Sequence, residues 1–178
     1  LREQETQPGS ILFTLSRPEG ATAQSRLPGQ HYVFGADPST SETHTEANIR
    51  GRQAFLKVFR ALRKQPGNEG LKLVDLRPET AARETYRIVG ETMIRREQYE
   101  AGKRYPDAVA YAYYPIDLHT SKGVRPQHLK EGTVPTLPLG ALVPKGSRNL
   151  MVAGRCISSD RLAKSALRVQ ASGMAMGH

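Results

Sequence analysis

An α+β fold is predicted by three observations: two strand-like runs near the start, one long amphipathic helix after them, and a second half built of short extended segments punctuated by proline and glycine. The strand-like runs point to a mixed or antiparallel sheet. Each element has its own local justification.

ILFTLSR (11–17) and HYVFGAD (31–37) read as strands, with Pro18, Gly20, Pro28 and Gly29 between them marking turns. Thr43, followed three residues later by Glu46, has capping-box spacing and starts a helix predicted to run to about Lys64. Phe55, Val58, Phe59 and Leu62 recur at i, i+3, i+4 and i+7 and form its apolar stripe. Arg50, Arg52, Lys57, Arg60, Arg63 and Lys64 are distributed mainly over the rest of the helix surface. LKLVDLRP (71–78) and ARETYRIVG (82–90) read as further strands, followed by a short amphipathic segment around EQYEAGKRY. In AVAYAYYPIDLH, strand alternation puts Tyr111, Tyr113, Pro115, Asp117 and His119 on one face and Tyr114, Ile116 and Leu118 on the other. Three prolines confine VPTLPLGALVPKG to extended or edge geometry. NLMVAG (149–154) then reads as a buried strand ending in Gly154, RCISSDRLAKS as a crossover, and SALRVQASGMAMGH as the start of a helix rich in Ser, Ala and Gly.

Composition narrows the function classes. The chain has 178 residues, 38% of them hydrophobic, enough for a packed core. Its apolar runs are far shorter than the ~18 residues that cross a bilayer. The opening LREQETQPGS lacks the apolar stretch of roughly 7–15 residues that a secretory leader needs, so a cytoplasmic location is expected. Cys156 is the single cysteine, which excludes an internal disulfide and a cysteine-rich zinc site. The remaining histidines, His31, His44, His128 and His178, show no ligand spacing, so no metal is expected. Twenty-six basic against 17 acidic residues give +9, which favours an anionic partner. The basic helix is either a nucleic-acid footprint or a solvated exterior, and the lack of any companion reader motif argues against nucleic acid.

Four constellations carry chemistry. The strand, glycine turn and small-residue helix at 149–177 present helix N–H groups that suit a phosphate or a ring carbonyl, or serve as a plain connection. Arg155 and Arg168 bracket it, offering bidentate forks to an anion or surface ion pairs. Asp117 and His119 form either a carboxylate-oriented imidazole for proton transfer or a structural hydrogen bond. Arg83, Thr85 and Arg87 share a strand face opposite Glu84 and Tyr86, aimed at an anion or at acidic neighbours.

The segments ARETYRIVGE, DAVAYAYYPIDLH, VPTLPLGALVPKGSRNLMVAGRCISSDRLA and SALRVQASGMAMG together resemble the C-terminal portion of the FAD-dependent oxidoreductase family, related in fold to the fumarate reductase and succinate dehydrogenase flavoproteins. The resemblance spans roughly residues 45–178. It implies FAD as cofactor, hydride transfer between a small, anionic substrate and flavin N5, and a two-part division. Residues 1–148 would be substrate-domain-like, its sheet joined at residues 149–178 to the last strand and helix of the FAD-binding α/β domain. It further implies that Gly154, Arg155, Cys156, Ile157 and Ser158 lie along the FAD, that a helix from about Ala166 aims its N-terminus at the isoalloxazine with Arg168 beside it, and that Arg83, Asp117 and His119 serve substrate binding or proton transfer. Two positions depart from the pattern: Lys164 stands where the resemblance implies Asn, and Gly173 where it implies Cys. No G-x-G-x-x-G region for the ADP half of FAD occurs in the sequence, and the last helix reads as cut in mid-element. The expected partner is therefore an N-terminal FAD-binding region of the same protein, without which the chain is expected to be inactive. A noncatalytic basic binding or assembly module is the alternative.

Overall fold

The computed structural model describes residues 7–17, 26–120, 123–124 and 126–178. The turn markers Pro18 and Gly20 lie outside the described residues. The chain forms two compact units that divide at the Arg83–Glu84 peptide, Thr6–Arg83 and a unit containing Glu84–His178.

In the first unit, β1 (Gly9–Ser16) is the central strand of an antiparallel sheet, flanked by β2 (Arg26–Val33) and β3 (Lys72–Leu76). Period-2 alternation sends Ile11, Phe13 and Leu15 into the core and leaves Leu12 partly exposed. β2 starts earlier than the sequence pattern suggests, because Pro28 and Gly29 are paired strand residues opposite Thr14 and Phe13 and do not form a turn. Two physical facts permit this. β2 is an edge strand, which tolerates a proline without an N–H. At Gly29, an added Cβ would collide with the Phe13 ring, so the ring lies directly over the bare backbone.

Helix α1 (Ser41–Arg63) covers the sheet and is capped one turn earlier than the Thr43–Glu46 spacing suggests. Thr40 is the N-cap: its Oγ1 accepts from Thr43 N at 3.2 Å, and its own N–H donates to Thr43 Oγ1. The helix closes at Lys64, as expected. Phe55 is buried against Phe13, with ring centroids 4.9 Å apart, and Val58, Phe59 and Leu62 pack beside it. Three of the helix arginines are tied to this unit's own backbone: Arg50 donates to Phe34 O and Gly35 O, Arg52 to Pro78 O, and Arg63 to Glu69 O.

The second unit contains α2 (Arg96–Glu100), β4 (Ala108–Tyr111), β5 (His119–Thr120), β6 (Gly123–Val124), β7 (Thr136–Pro138), α3 (Arg161–Leu167) and α4 (Gln170–Gly177). β4 pairs antiparallel with β7, and β5 with β6. Its core gathers Ile94, Tyr99, Ile116, Leu137, Ile157, Ala166 and Leu167. The predicted α+β class therefore holds in its coarser form, as small antiparallel sheets with four α-helices among the described residues.

Four expected elements differ. AVAYAYYPIDLH is not one continuous strand: β4 ends at Tyr111 and β5 begins at His119, with Ile116 between them in an isolated bridge to Gln127. Residues 82–90 are not a strand, since Ile88 N bonds to Cys156 O while Val89 O accepts from Lys145 N. The reason is electrostatic: Glu84 and Arg87 are both buried and form an i,i+3 ion pair, which strand alternation would place on opposite faces. The expected buried strand 149–154 is irregular, with Leu150 and Met151 both exposed; Val152 N donates to Leu142 O, and Gly154 O accepts from Ile157 N in a local turn. The final helix is two helices, because Val169 adopts an extended backbone (φ −70, ψ 151) and breaks the path between α3 and α4. Ala166 consequently lies inside α3 and opens no helix.

Candidate active site

The site is organised on α3. Asp160 is its N-cap and serves two elements at once: Oδ1 accepts from Ala163 N at 2.8 Å, and Oδ2 accepts from Arg96 N at 2.6 Å at the start of α2. Arg161, Lys164, Ser165 and Arg168 then recur at i, i+3, i+4 and i+7, so they share one helical face. Four polar side chains on one stripe of a largely buried helix require partners. The segments preceding β5 and α2 supply them.

Around Arg168 the structure brings together three residues singled out in the sequence. The Arg168 guanidinium donates from Nη2 to Asp117 O at 3.1 Å and to Asp117 Oδ2 at 3.3 Å. His119 Nε2 donates to the same Oδ2 at 3.0 Å. Both side chains flanking the carboxylate are largely enclosed, at 13% and 11% exposed. Burial lowers the affinity of Arg168 for its proton, and the charges of Asp117, then Glu84 and Tyr114, oppose that effect. The result is an imidazole whose orientation is set by a carboxylate that is itself clamped by an arginine.

One turn back, Glu84 is buried among three cations. Lys164 Nζ lies 3.5 Å from Oε2, Arg87 Nη1 3.8 Å from the same oxygen, and Arg161 Nε 3.7 Å from Oε1. Burial pulls Lys164 down to about 8; Glu84 pulls it back up, while Arg87 and Arg155 add to the lowering. Glu84 and Arg155 also act on Arg168, so the two clusters form one electrostatic network along α3.

Beside this network runs a cleft of ≈160 Å³, walled by Tyr111, Tyr113 and Tyr114 on one side and by Val169 at the head of α4 with Ala171 and Ser172 within it on the other. It adjoins the network through Tyr114 and through Val169, the residue after Arg168. The N-terminus of α4 has no side-chain cap. Gly154 turns with φ +83, and a Cβ added at Gly173 would sit 3.9 Å from the Gly154 Cα, so this turn lies against α4. Arg155 is exposed, and Cys156 is half-buried with its Sγ donating to Ala153 O at 3.7 Å. Ile157, Ser158 and Ala166 are fully enclosed, Ile157 and Ala166 within the core cluster.

Arg83 belongs to the first unit, where Nη1 donates to Pro8 O at 2.6 Å and the guanidinium lies 5.3 Å from the Tyr32 ring centroid. The shared face expected for Arg83, Thr85 and Arg87 does not exist, because the strand on which it depended is absent.

A family model described as FAD dependent oxidoreductase matches residues 3–178. The chain belongs to the FAD dependent oxidoreductase family. No curated protein and no solved structure matches it. The family name implies FAD as cofactor. The cleft is smaller than the roughly 300 Å³ at the lower end for ligand sites. It nevertheless joins tyrosine faces, small helical residues and an uncapped helix N-terminus to a partly buried arginine, a donor set suited to a planar ring with an electron-rich carbonyl edge.

Glu84, Lys164 and Ser165 are site residues that the sequence analysis did not select. The usable signal was Asp160, a strong N-cap residue; starting the helix there puts Arg161, Lys164, Ser165 and Arg168 on one face. Among the described residues no helix is long and apolar enough to cross a membrane, and no group of three or more His, Cys, Asp or Glu is placed to hold a metal ion.

Proposed function

We propose that this chain is the flavin-covering and substrate-facing part of an FAD-dependent oxidoreductase, joined through residues 149–178 to an FAD-binding α/β domain. The observation that carries this reading is the Arg168–Asp117–His119 array set directly beside the tyrosine and α4 cleft. When bound, FAD supplies a hydride acceptor or donor at N5. Arg168, Arg155 and the N–H groups at the start of α4 hold negative charge at the carbonyl edge of the ring. This moves the helix role expected near Ala166 to Val169–Ser172. Gly154 and Cys156 contribute backbone along the cofactor, while Ile157, Ser158 and Ala166 support the wall from within. His119 moves the substrate proton, with Asp117 fixing which ring nitrogen points away from the carboxylate. The substrate is a small anion, in keeping with the basic excess of the chain.

The test is FAD titration of the full-length protein that carries these residues, followed by quenching of flavin fluorescence. The wild-type protein binds FAD, and Arg168→Gln weakens binding about tenfold, the equivalent of one charge-assisted hydrogen bond. A wild-type protein with no affinity for FAD removes the proposal.

A further inference from the structure

We infer that Ser165 is a positioning residue for the Asp117–His119 pair: its hydroxyl replaces a strand partner for the Asp117 amide and thereby fixes the carboxylate between Arg168 and His119. The inference rests on the reading of that pair as the proton-handling element of the site.

Ile116 exchanges both of its hydrogen bonds with Gln127, and the β5–β6 ladder resumes at His119 opposite Val124. Between these pairings, the N–H of Asp117 donates to Ser165 Oγ at 3.1 Å. The same hydroxyl donates to Leu162 O at 2.7 Å, which fixes its rotor and aims a lone pair at the Asp117 amide. Ser165 is fully buried, so no water competes for either bond. Arg168, one turn C-terminal, takes the Asp117 carbonyl and carboxylate from the same helical face. Asp117 is thus gripped at three of its polar groups by two residues three apart on α3, and its carboxylate has a defined direction when it meets His119 Nε2. Without the hydroxyl, the Asp117 amide loses its partner and the 117–118 backbone is free to rotate the carboxylate away from the ring.

The experiment reads the imidazole rather than catalysis, so it does not depend on FAD. Proton NMR of the full-length protein detects the His119 Nε2–H as a downfield, slowly exchanging resonance, because a carboxylate accepts it in an enclosed setting. Asp117→Ala, which removes the acceptor, identifies the signal by abolishing it. Ser165→Ala, and Ser165→Cys as the variant closest in size, are expected to lose the resonance and to speed exchange of the Asp117 amide about tenfold while retaining a cooperative fold. Leu167→Ala, a core change on the same helix, is expected to lower stability and leave the resonance in place. Persistence of the resonance in a folded Ser165→Ala or Ser165→Cys protein overturns the inference, as does equal loss in Leu167→Ala. If Ser165→Ala fails to fold, Ser165→Cys decides by the same two outcomes. A protein that shows this pattern yet binds no FAD leaves the inference standing and sinks only the flavin reading.

Discussion

Lys164 is the residue whose chemistry is most altered by its surroundings. Its ammonium is almost completely enclosed, and burial outweighs the attraction of Glu84, so it releases its proton at about 8 where a free lysine does so at 10.5. The consequence for stability has a definite sign. Below about 8 both folded and unfolded chains hold the proton, and the fold bears the cost of burying it. Between about 8 and 10.5 the unfolded chain binds more protons, so stability rises with pH across that window. Comparing thermal unfolding of wild type and Lys164→Met at several pH values isolates the effect: the difference between them shifts in favour of wild type as pH climbs through the window. A difference that stays flat there contradicts the buried ammonium. At this scale the sequence disclosed the Asp117–His119 contact, because a two-residue spacing needs only locally extended backbone. It did not disclose the Glu84 cluster, whose members come from segments nearly 80 residues apart and meet only in the folded unit.

Among the elements, α3 depends on a single cap. Asp160→Ala removes the acceptor for Ala163 N and for Arg96 N together, and is expected to cost about 1–2 kcal/mol in urea unfolding. Asp160→Asn, which keeps one oxygen, should recover part of that loss. β2 has an equally local determinant in Gly29, where a methyl group meets the Phe13 ring. Gly29→Ala is expected to destabilise the first unit by about 1–3 kcal/mol through overpacking, measured by chemical denaturation. Element type was most legible where periodicity was long and regular, as in β1 and α1 with its apolar stripe. It failed for 82–90 and 149–154, where extended-looking runs carry charges or exposed apolar residues that the tertiary structure places outside any ladder. It failed again at Val169, where one extended residue splits an otherwise helical, small-residue sequence.

For the molecule as a whole, the compact units divide at residue 83, whereas the division proposed from family resemblance, at 148, concerns where the chain rejoins a nucleotide-binding domain. These describe different things, and the first alone follows from packing. The cations behind the +9 charge include two differently placed groups. Arg50, Arg52 and Arg63 of α1 donate to the backbone of their own unit, while Arg161, Lys164 and Arg168 along α3 join the buried network next to the cleft. The composition alone gave no sign of that partition, since it counts cations without saying which are enclosed. In the proposed function, this network and the start of α4 hold the electron-rich edge of a flavin. The most direct measurement is an experimental structure of the full-length protein purified with FAD. The isoalloxazine is expected against the Val169–Ser172 stretch with Arg168 at its carbonyl edge; a flavin seated elsewhere, with the Tyr111–Tyr114 cleft untouched, rules this arrangement out.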